Sequence, residues 1–343
     1  MTSTILVTGG LGFIGSHTVV ELISCGYEVI ILDNLCNSSE SVLDGIEMIV
    51  GKKPKMYIGD IRDREILKLI FNNHEIHSVM HFAGLKSVAE SEDKPLLYFD
   101  NNVTGSITLV DEMIRAKVKL MIFSSSATVY GISDTFKFTE DMPLNPTSIY
   151  GKTKLNVESI LGDLKKTNPS LGIAILRYFN PVGAHSSGFI GETPKGTPNN
   201  LMPYIADVAM GVREKVFVFG NDYPTPDGTG LRDYIHVSDL ANGHIAALNK
   251  LKSSTNMITV NLGTGEPHTV LDMIRTFERI SGKKIPYEIV ARRKGDIAGC
   301  YANPKLAEES LHWKAKLNLN DMCFSQLNFM AKNNNKKICD HNF

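Results

Sequence analysis

The sequence is poor in cysteine, and its cysteines follow no recognisable pattern. Five occur in 343 residues, an odd number without CxxC or Cys/His spacing: Cys25, Cys36, Cys300, Cys323 and Cys339. Such a set predicts neither a disulfide framework nor a metal site. Unpaired thiols are typical of a reducing compartment. We therefore expect a cytoplasmic protein with no metal.

Long hydrophobic runs and an excess of one charge are also lacking. No apolar stretch approaches the ~20 residues that span a bilayer, and the short run Ile5-Leu6-Val7 lacks the basic segment that precedes a signal peptide core. Lys and Arg total 36 against 37 Asp and Glu, a net charge of -1. Nucleic acids and anionic membranes are normally bound by a basic face. We expect neither as a partner, which leaves a small molecule.

The first half of the chain alternates short β-branched runs with helical patterns. The runs predict strands at Thr4–Val7, Glu28–Leu32, Lys55–Ile58, Ser78–His81, Leu120–Ser124 and Ile173–Leu176. This alternation is typical of parallel βαβ units, so we predict an α/β fold with a Rossmann-like, doubly wound parallel sheet.

After Asn180 the sequence becomes richer in Gly, Pro, Asn and charged residues. We expect residues 1–180 to form an NAD-binding domain, with a return segment around 234–262. Residues 181–331 would form a smaller α/β domain that binds substrate. The end of the chain, 332–343, is rich in Asn and Lys and predicts a disordered tail.

A glycine-rich segment follows the first predicted strand directly. Its sequence is Gly10-Leu11-Gly12-Phe13-Ile14-Gly15, and Gly9, Gly12 and Gly15 also fit GxxGxxG spacing. Glycine lets the backbone approach a pyrophosphate, whose charge is met by free N–H groups at the start of the next helix. An isolated match of this kind could equally be a structural turn.

The acidic residue that completes this fingerprint is Asp33, about 20 residues further on at the end of the second strand. Its carboxylate can accept hydrogen bonds from the adenosine ribose and would repel a 2′-phosphate. The cofactor predicted is therefore NAD rather than NADP. Asp60, after the third strand, could face the adenine or lie in a surface turn.

A Tyr-x-x-x-Lys motif places Tyr150 and Lys154 one turn apart on one helix face. A tyrosine that acts as a base near pH 7 needs its pKa lowered from ~10 to about 7, which is worth about 4 kcal/mol. The ammonium of Lys154 and a cationic nicotinamide ring could supply this together. Alone, the motif is common by chance, but the hydroxyl-rich run Ser124-Ser125-Ser126 lies upstream, and Ser126 is our candidate for binding the reacting oxygen.

Several further stretches carry a family resemblance. They are Asp33-Asn34-Leu35, His81-Phe82-Ala83-Gly84-Leu85-Lys86, Phe123–Gly131, Arg177-Tyr178-Phe179-Asn180-Pro181, Pro198-Asn199-Asn200-Leu201-Met202-Pro203-Tyr204 and Arg232-Asp233-Tyr234-Ile235-His236-Val237. With them the chain resembles the extended short-chain dehydrogenase/reductases from Ile5 to about Asn328. Within that family it is most similar to the UDP-glucose (UDP-galactose) 4-epimerases.

The resemblance implies an NAD-dependent isomerase of galactose metabolism that interconverts UDP-glucose and UDP-galactose through a 4-keto sugar. It also implies a homodimer formed through two helices, expected at Leu96–Ala116 and Ser148–Leu164. The implied catalytic residues are Tyr150, Lys154 and Ser126. Besides the glycine loop, the implied NAD contacts are Phe13, Ile14, Asp33, Asn34, Leu35, Cys36, Asn37, Ser38, Asp60, Ile61, Phe82, Ala83, Gly84, Leu85, Lys86, Asn101, Tyr150, Lys154 and Phe179.

The implied contacts to the UDP-hexose substrate include arginines for the diphosphate and amides for uracil and sugar hydroxyls. They are Lys86, Ser126, Tyr150, Asn180, Asn199, Asn200, Leu201, Phe217, Phe219, Arg232, Arg293, Asp296 and Cys300. For Phe217 and Phe219 the alternative is simple burial in a strand. The position of Cys300 implies a hexose pocket open to N-acetylated sugars; the alternative is a buried cysteine without influence on specificity.

Two other functions remain as alternatives. A nucleotide-sugar 4,6-dehydratase or decarboxylase shares the fold, but a dehydratase commonly has Asp-Glu after the catalytic hydroxyl, where this chain has Ala127-Thr128. A non-catalytic NAD-sensing protein could keep the glycine loop and lose the chemistry. The presence of Ser126, Tyr150 and Lys154 argues against that alternative.

Overall fold

The computed structural model describes residues 3–340 except 197, 199 and 294, with side chains as far as residue 333. The strands in this part are β1 Thr4–Thr8, β2 Glu28–Asp33, β3 Lys55–Ile58, β4 Ile76–His81, β5 Leu120–Ser126, β6 Lys137–Phe138, β7 Gly172–Tyr178, β8 Asn180–Val182, β9 Val216–Phe219, β10 Leu231–His236, β11 Met257–Leu262, β12 Pro267–Thr269, β13 Tyr287–Val290 and β14 Gly299–Ala302.

The helices are α1 Phe13–Ser24, α2 Ser41–Val50, α3 Arg64–Asn73, α4 Val88–Asp93, α5 Pro95–Tyr98, α6 Gly105–Arg115, α7 Ile149–Thr167, α8 Leu201–Ala209, α9 Val237–Ser253, α10 Val270–Ser281, α11 Lys305–Leu311 and α12 Leu319–Asp340. A π-helical turn, Phe99–Thr104, joins α5 to α6, and a 3-10 turn, Ala127–Val129, follows β5.

The main sheet has seven strands in the order β11-β7-β5-β4-β1-β2-β3, and all of its pairs are parallel. Successive residues of β1 enter different cores: Ile5 and Val7 pack on one face and Leu6 on the other. All three are fully buried. Strands buried on both faces need continuous apolar sequence, as β1 has. The predicted Rossmann-like α/β fold is confirmed.

The strand order reverses beside β1, and this reversal places the site. The chain passes from β1 to β2 and β3 on one side, then returns through β4 to the other side. In open α/β sheets the crevice outside the carboxyl ends of such strands is where ligands bind. The ends of β1 and β4 line this crevice.

The segment 234–262, which the sequence predicts to return to the main sheet, contributes α9 and β11. Strand β11 pairs in parallel with β7 along the whole of its length. A second sheet, β12-β10-β14-β6 with β8 also paired to β10, combines strands from residues after 180 with β6 from the first part of the chain, and β13 and β9 form a separate pair. Helices α8, α10 and α12 share a core that includes Met202, Phe277 and Met322.

Helix α12 overlaps the segment for which composition predicts a disordered tail. It continues to Asp340, past the residue 332 boundary predicted from composition. Lys332 donates a hydrogen bond to the carbonyl of Ser187, and Asn333 donates to the carbonyl of Phe329 at 2.9 Å. Composition alone cannot register these contacts, because the partner Ser187 lies 145 residues away in sequence.

Candidate active site

The glycine loop between β1 and α1 accepts only glycine at two positions. Gly9 has a φ of 69°, and a Cβ there would lie 2.7 Å from the backbone nitrogen of Ala83. A Cβ on Gly15 would lie 2.2 Å from the carbonyl oxygen of Gly9. Gly12, which precedes the first turn formed by Phe13 and Ile14, has no side chain to cap the helix. The first-turn N–H groups of α1 are therefore available to an anion such as a pyrophosphate.

The carboxylate of Asp33, at the end of β2, is buried and held by three donors. It accepts hydrogen bonds from the backbone N–H groups of Leu11 at 3.0 Å and Leu35 at 2.9 Å. A third comes from the hydroxyl of Ser38 at 2.8 Å. Because carboxylate oxygens have further lone pairs, Asp33 can still accept from ribose hydroxyls. Three predicted cofactor residues nearby are exposed: Asn34, Cys36 and Asn37.

Asp60 joins the carboxyl ends of β2 and β3. Its Oδ2 accepts from the amide of Asn34 at 2.9 Å, and its Oδ1 lies 2.9 Å from Nε of Arg62. Hydrogen bonds from Arg62 lower the pKa of Asp60 to about 2. Asp60 is thus a charged, anchored group at the edge of the crevice, and the neighbouring Ile61 is buried in the core.

The opposite wall of the crevice is the segment Phe82–Lys86, which Asn102 holds in place. Asn102 accepts from the N–H of Leu85 at 2.8 Å and donates to its carbonyl at 3.0 Å. It also donates to Thr153 on α7 at 3.0 Å. The predicted cofactor residue Asn101 donates to Asn102 at 2.9 Å. Sequence reasoning missed Asn102, although paired amides are unusual inside a helical pattern and were the available signal.

Ser126, Tyr150 and Lys154 come together where β5 ends beside α7. Ser148 caps α7 by accepting from the N–H of Gly151 at 3.0 Å, and this fixes the first turn, which carries Tyr150. The hydroxyl of Ser126 accepts from the hydroxyl of Thr128 at 3.0 Å and is near enough to the phenol of Tyr150 to affect its pKa. Nζ of Lys154 lies 5.9 Å from the centroid of the Tyr150 ring.

The charge states of this trio are set mainly by burial. Burial raises the pKa of Tyr150 to about 12, and the hydroxyl of Ser126 opposes that rise. Burial lowers the pKa of Lys154 to about 8, and the charge of Glu158 opposes that fall. At pH 7 Lys154 is therefore a cation and the phenol keeps its proton. Lys154 alone does not make Tyr150 a base; more positive charge is needed beside the ring.

Glu158 lies one turn after Lys154 on α7 and was missed by sequence reasoning. Its carboxylate accepts from Arg177 at 2.7 Å, and both side chains are buried. It also accepts from the hydroxyl of Ser125. Ser125 lies in β5, between Ser124, whose carbonyl accepts from Lys154, and Ser126. The equal spacing of Tyr150, Lys154 and Glu158 was the available signal, because positions four apart share a helix face.

Three predicted substrate residues lie on the neighbouring strands β8, β10 and β14. Asn180, in β8, pairs with Tyr234 in β10. Arg232 in β10 lies directly opposite Cys300 in β14. Cys300 is buried, in a cluster that includes the predicted cofactor residue Phe179, and burial raises the pKa of its thiol.

The predicted residues of β9 and the loop after β13 form a second group. Phe217 and Phe219 are 39% and 36% exposed, whereas the alternate residues Val216 and Val218 face the core, so simple burial does not explain the two phenylalanines. The guanidinium of Arg293 lies 4.6 Å from the centroid of Phe219, and its Nε donates to Asp296 at 2.9 Å. An exposed aromatic pair beside a guanidinium can stack on a planar base.

Lys86 and Asn200 approach each other from different parts of the chain. Both bond to the carboxylate of Glu192, a residue that sequence reasoning did not single out. Asn200 precedes α8, and Leu201 is the first residue of that helix. The predicted residue Asn199 lies outside the described residues.

The residues that the structure describes contain neither a cluster of metal ligands nor a membrane-spanning helix. No group of three or more His, Cys, Asp or Glu side chains there could hold a metal ion. None of the helices so described combines the length and hydrophobicity required to cross a bilayer.

Comparison with known proteins gives consistent matches. Residues 5–263 match the model of the NAD dependent epimerase/dehydratase family. A UDP-glucose 4-epimerase of Yersinia enterocolitica is 54% identical over 98% of this chain and 100% of its own length. The crystal structure of the Stenotrophomonas maltophila UDP-glucose 4-epimerase, with NAD and formylated UDP-arabinopyranose, is 50% identical with a TM-score of 0.96 over 97% of this chain and 99% of that one. The Bifidobacterium longum enzyme with NAD+ and UDP is 50% identical with a TM-score of 0.94 over the same shares.

Proposed function

The chain belongs to the NAD dependent epimerase/dehydratase family, and from this premise we propose that it is an NAD-dependent UDP-glucose 4-epimerase, an isomerase that interconverts UDP-glucose and UDP-galactose. The observation that carries the proposal is that Ser126, Tyr150 and Lys154 meet at the end of β5: Nζ of Lys154 lies 5.9 Å from the centroid of the Tyr150 ring and donates to the carbonyl of Ser124 at 2.8 Å. An acid–base group and a hydroxyl here can both reach one sugar hydroxyl. The further proposals are a 4-keto intermediate, a role in galactose metabolism and a cytosolic location.

The crevice beside β1 and β4 fits NAD. Neither Gly9 nor Gly15 has room for a Cβ, so the backbone itself forms the cradle for the pyrophosphate, and the carboxylate of Asp33 is placed to accept from a ribose. The segment Phe82–Lys86 and the face of α7 that carries Lys154 would hold the nicotinamide end. When bound, NAD supplies a reversible hydride acceptor for C4′ of the hexose.

Within this proposal Tyr150 takes the proton of the 4′-hydroxyl and later returns it, and Ser126 bonds the same oxygen. Burial holds the pKa of the phenol at about 12, which is too high for a base at pH 7. The base form therefore depends on positive charge, part of which Lys154 provides. Its Nζ donates to the carbonyl of Ser124 at 2.8 Å, which orients the ammonium toward the end of β5.

The remaining predicted residues would hold UDP firmly and leave the hexose room to turn over. Arg232 and Arg293 suit the diphosphate, because a guanidinium binds phosphate oxygens through paired donors. The exposed rings of Phe217 and Phe219 suit uracil. Asn180, Asn199 and Asn200 suit polar groups of the nucleotide and sugar, and Asp296 suits a ribose.

We extend the proposal to UDP-N-acetylglucosamine and UDP-N-acetylgalactosamine. Cys300 is small and lies opposite Arg232 across β14 and β10. A small side chain at this position leaves room for an acetamido group, which a large one would fill.

A homodimer is also part of the proposal. Large apolar side chains are exposed along the segment expected to pair: Leu96 is 83%, Leu97 42% and Ile107 44% exposed. Exposed apolar groups clustered on one segment are typical of an interaction surface. Analytical ultracentrifugation of the wild type tests this assembly.

The deciding experiment is incubation of the purified protein with UDP-galactose, and separately with UDP-N-acetylgalactosamine, without added NAD. The proposal expects UDP-glucose from the first and the N-acetylglucosamine epimer from the second. A 4-keto-6-deoxy product would indicate a dehydratase. Retention of NAD without turnover of either sugar would indicate an NAD-sensing protein.

A further inference from the structure

Glu192 joins two predicted substrate residues that come from opposite sides of the site. One of its oxygens, Oε1, accepts from Nζ of Lys86 at 2.9 Å and from Nδ2 of Asn200 at 2.6 Å. Lys86 and Glu192 are 106 residues apart in sequence. The contact therefore links the wall after β4 to the loop that leads into α8.

The surroundings of Glu192 distinguish this contact from an ordinary surface ion pair. The side chain of Glu192 is 8% exposed, whereas that of Lys86 is 51% exposed. A carboxylate is rarely buried unless it is paired and hydrogen-bonded, and both recorded partners of Glu192 are predicted substrate residues. The ammonium of Lys86 therefore remains open to solvent and to a ligand, while the group that holds it is fixed in the protein.

Asn200 gives a second, independent observation. It occupies the N-cap position of α8, where asparagine usually accepts a hydrogen bond from its own helix. The side chain of Asn200 makes no such cap, and its amide points to Glu192 instead. The helix thus forgoes a stabilising bond, which is typical of residues whose position serves a site rather than the fold.

We propose that Glu192 is a positioning residue of the UDP-sugar site, holding Lys86 and Asn200 on one carboxylate oxygen so that both face the same ligand. This inference rests on the proposed function, since it takes the ligand to be a nucleoside diphosphate sugar. Glu192 acts through its two partners and does not itself take part in the proton transfer at Tyr150.

The charge of Glu192 works in the opposite direction from its hydrogen bonds. A carboxylate near an anionic ligand repels it, whereas a fixed ammonium and amide attract and orient it. Removing only the charge and removing the acceptor altogether should therefore have different results. Glutamine keeps an acceptor oxygen at the same place, and alanine keeps none.

The experiment compares Glu192→Gln and Glu192→Ala in the purified holoprotein. The Kd for UDP is measured by calorimetry, KM and kcat with UDP-galactose, and bound NAD by absorbance after denaturation. For Glu192→Ala we expect the Kd and KM to rise about tenfold or more, as for a lost charge-assisted contact. We expect kcat to stay within about threefold, and NAD content to be unchanged. For Glu192→Gln we expect both constants within about threefold of the wild type.

The matched control is Glu65→Gln, which alters another lysine–glutamate pair at 2.8 Å, between Lys68 and a glutamate that is 82% exposed. It should leave every measured value unchanged.

Equal effects of Gln and Ala at position 192, a lower KM in the Ala variant, or a fall in kcat with unchanged Kd would each overturn the inference. If the Ala variant does not fold, an unchanged Kd for UDP in Glu192→Asp, whose shorter side chain cannot reach both partners, overturns it. A wild type that binds UDP but does not epimerise would reject the proposed function. The role of Glu192 would then still be tested by the Kd for UDP of its variants.

Discussion

The carboxylate of Glu158 lies 2.7 Å from the guanidinium of Arg177, and neither side chain is more than 6% exposed. Arg177 also donates to the hydroxyl of Tyr130 at 3.0 Å, and Tyr130 donates to Asn261 at 2.7 Å. The chain of bonds joins α7 to β7 and β11, and Glu158 also accepts from Ser125, the neighbour of Ser126. It ties the position of Lys154, four residues before Glu158, to the main sheet.

Glu158→Gln should destabilise the protein strongly. The substitution leaves the buried charge of Arg177 uncompensated, and breaking a buried pair in this way costs about 3–5 kcal/mol. Urea unfolding measures the loss. The control on the same helix is Asp163→Asn, whose partner Lys166 is 79% exposed; we expect about 0–1 kcal/mol there. Equal losses in the two variants would mean that the buried pair contributes no more to the free energy of unfolding than the exposed pair does.

Gly15→Ala should abolish NAD retention. Its Cβ would lie 2.2 Å from the carbonyl oxygen of Gly9, so the loop must move away from the geometry that receives the pyrophosphate. Bound NAD is measured in the purified protein by absorbance. Gly162→Ala is the control, because its Cβ meets open space on α7, and we expect a gain of roughly 0.5–1 kcal/mol in stability with full NAD content.

Tyr150→Phe should remove most turnover and leave NAD bound. The phenolate oxygen is the proposed proton acceptor, and general acid–base groups typically contribute about 10²–10⁴-fold. Tyr27→Phe, which removes a hydroxyl bonded to Asn249 and Lys252 on α9, should retain the wild-type rate. More than about a tenth of the wild-type rate in the Tyr150 variant would rule out this residue as the base.

Much of this arrangement follows from the sequence, and the exceptions have a common cause. The runs Thr4–Val7 and Glu28–Leu32 predict strands because parallel strands buried on both faces need nearly continuous apolar sequence. Asn102, Glu158 and Glu192 were missed because their partners are distant along the chain: Glu192 and Lys86 are 106 residues apart. Periodicity shows that Phe217 and Phe219 share a face of β9, but only the packed structure shows that this face is open. The roles assigned to the individual site residues stay predictions until the variants are measured.

Lys154→Met should change the shape of the pH–rate profile as well as its height. In the wild type Lys154 has a pKa of about 8. Above that pH the ammonium loses its charge and no longer stabilises the phenolate of Tyr150, so the rate should fall. In the methionine variant this alkaline limb should disappear. The acid limb should move to higher pH, because the phenol pKa rises when a nearby cation is removed. A profile of unchanged shape with lower amplitude would make Lys154 a cofactor-positioning residue only.

Cys300→Tyr should narrow the substrate range. Cys300 is buried, and its strand position faces Arg232 on β10, so a larger side chain there must project toward the proposed hexose pocket or press on the cluster around Phe179. An acetamido group forced against tyrosine should cost about 1–3 kcal/mol, roughly 10- to 100-fold in kcat/KM. The plain hexoses, which lack that group, should lose much less. The measurement is kcat/KM for UDP-galactose and UDP-N-acetylgalactosamine on the same preparations, with Cys300→Ser as the small-residue control that keeps both activities. A wild type inactive on the N-acetyl sugar, or equal losses on both substrates in the tyrosine variant, would show that Cys300 does not determine specificity and is only a packed core residue.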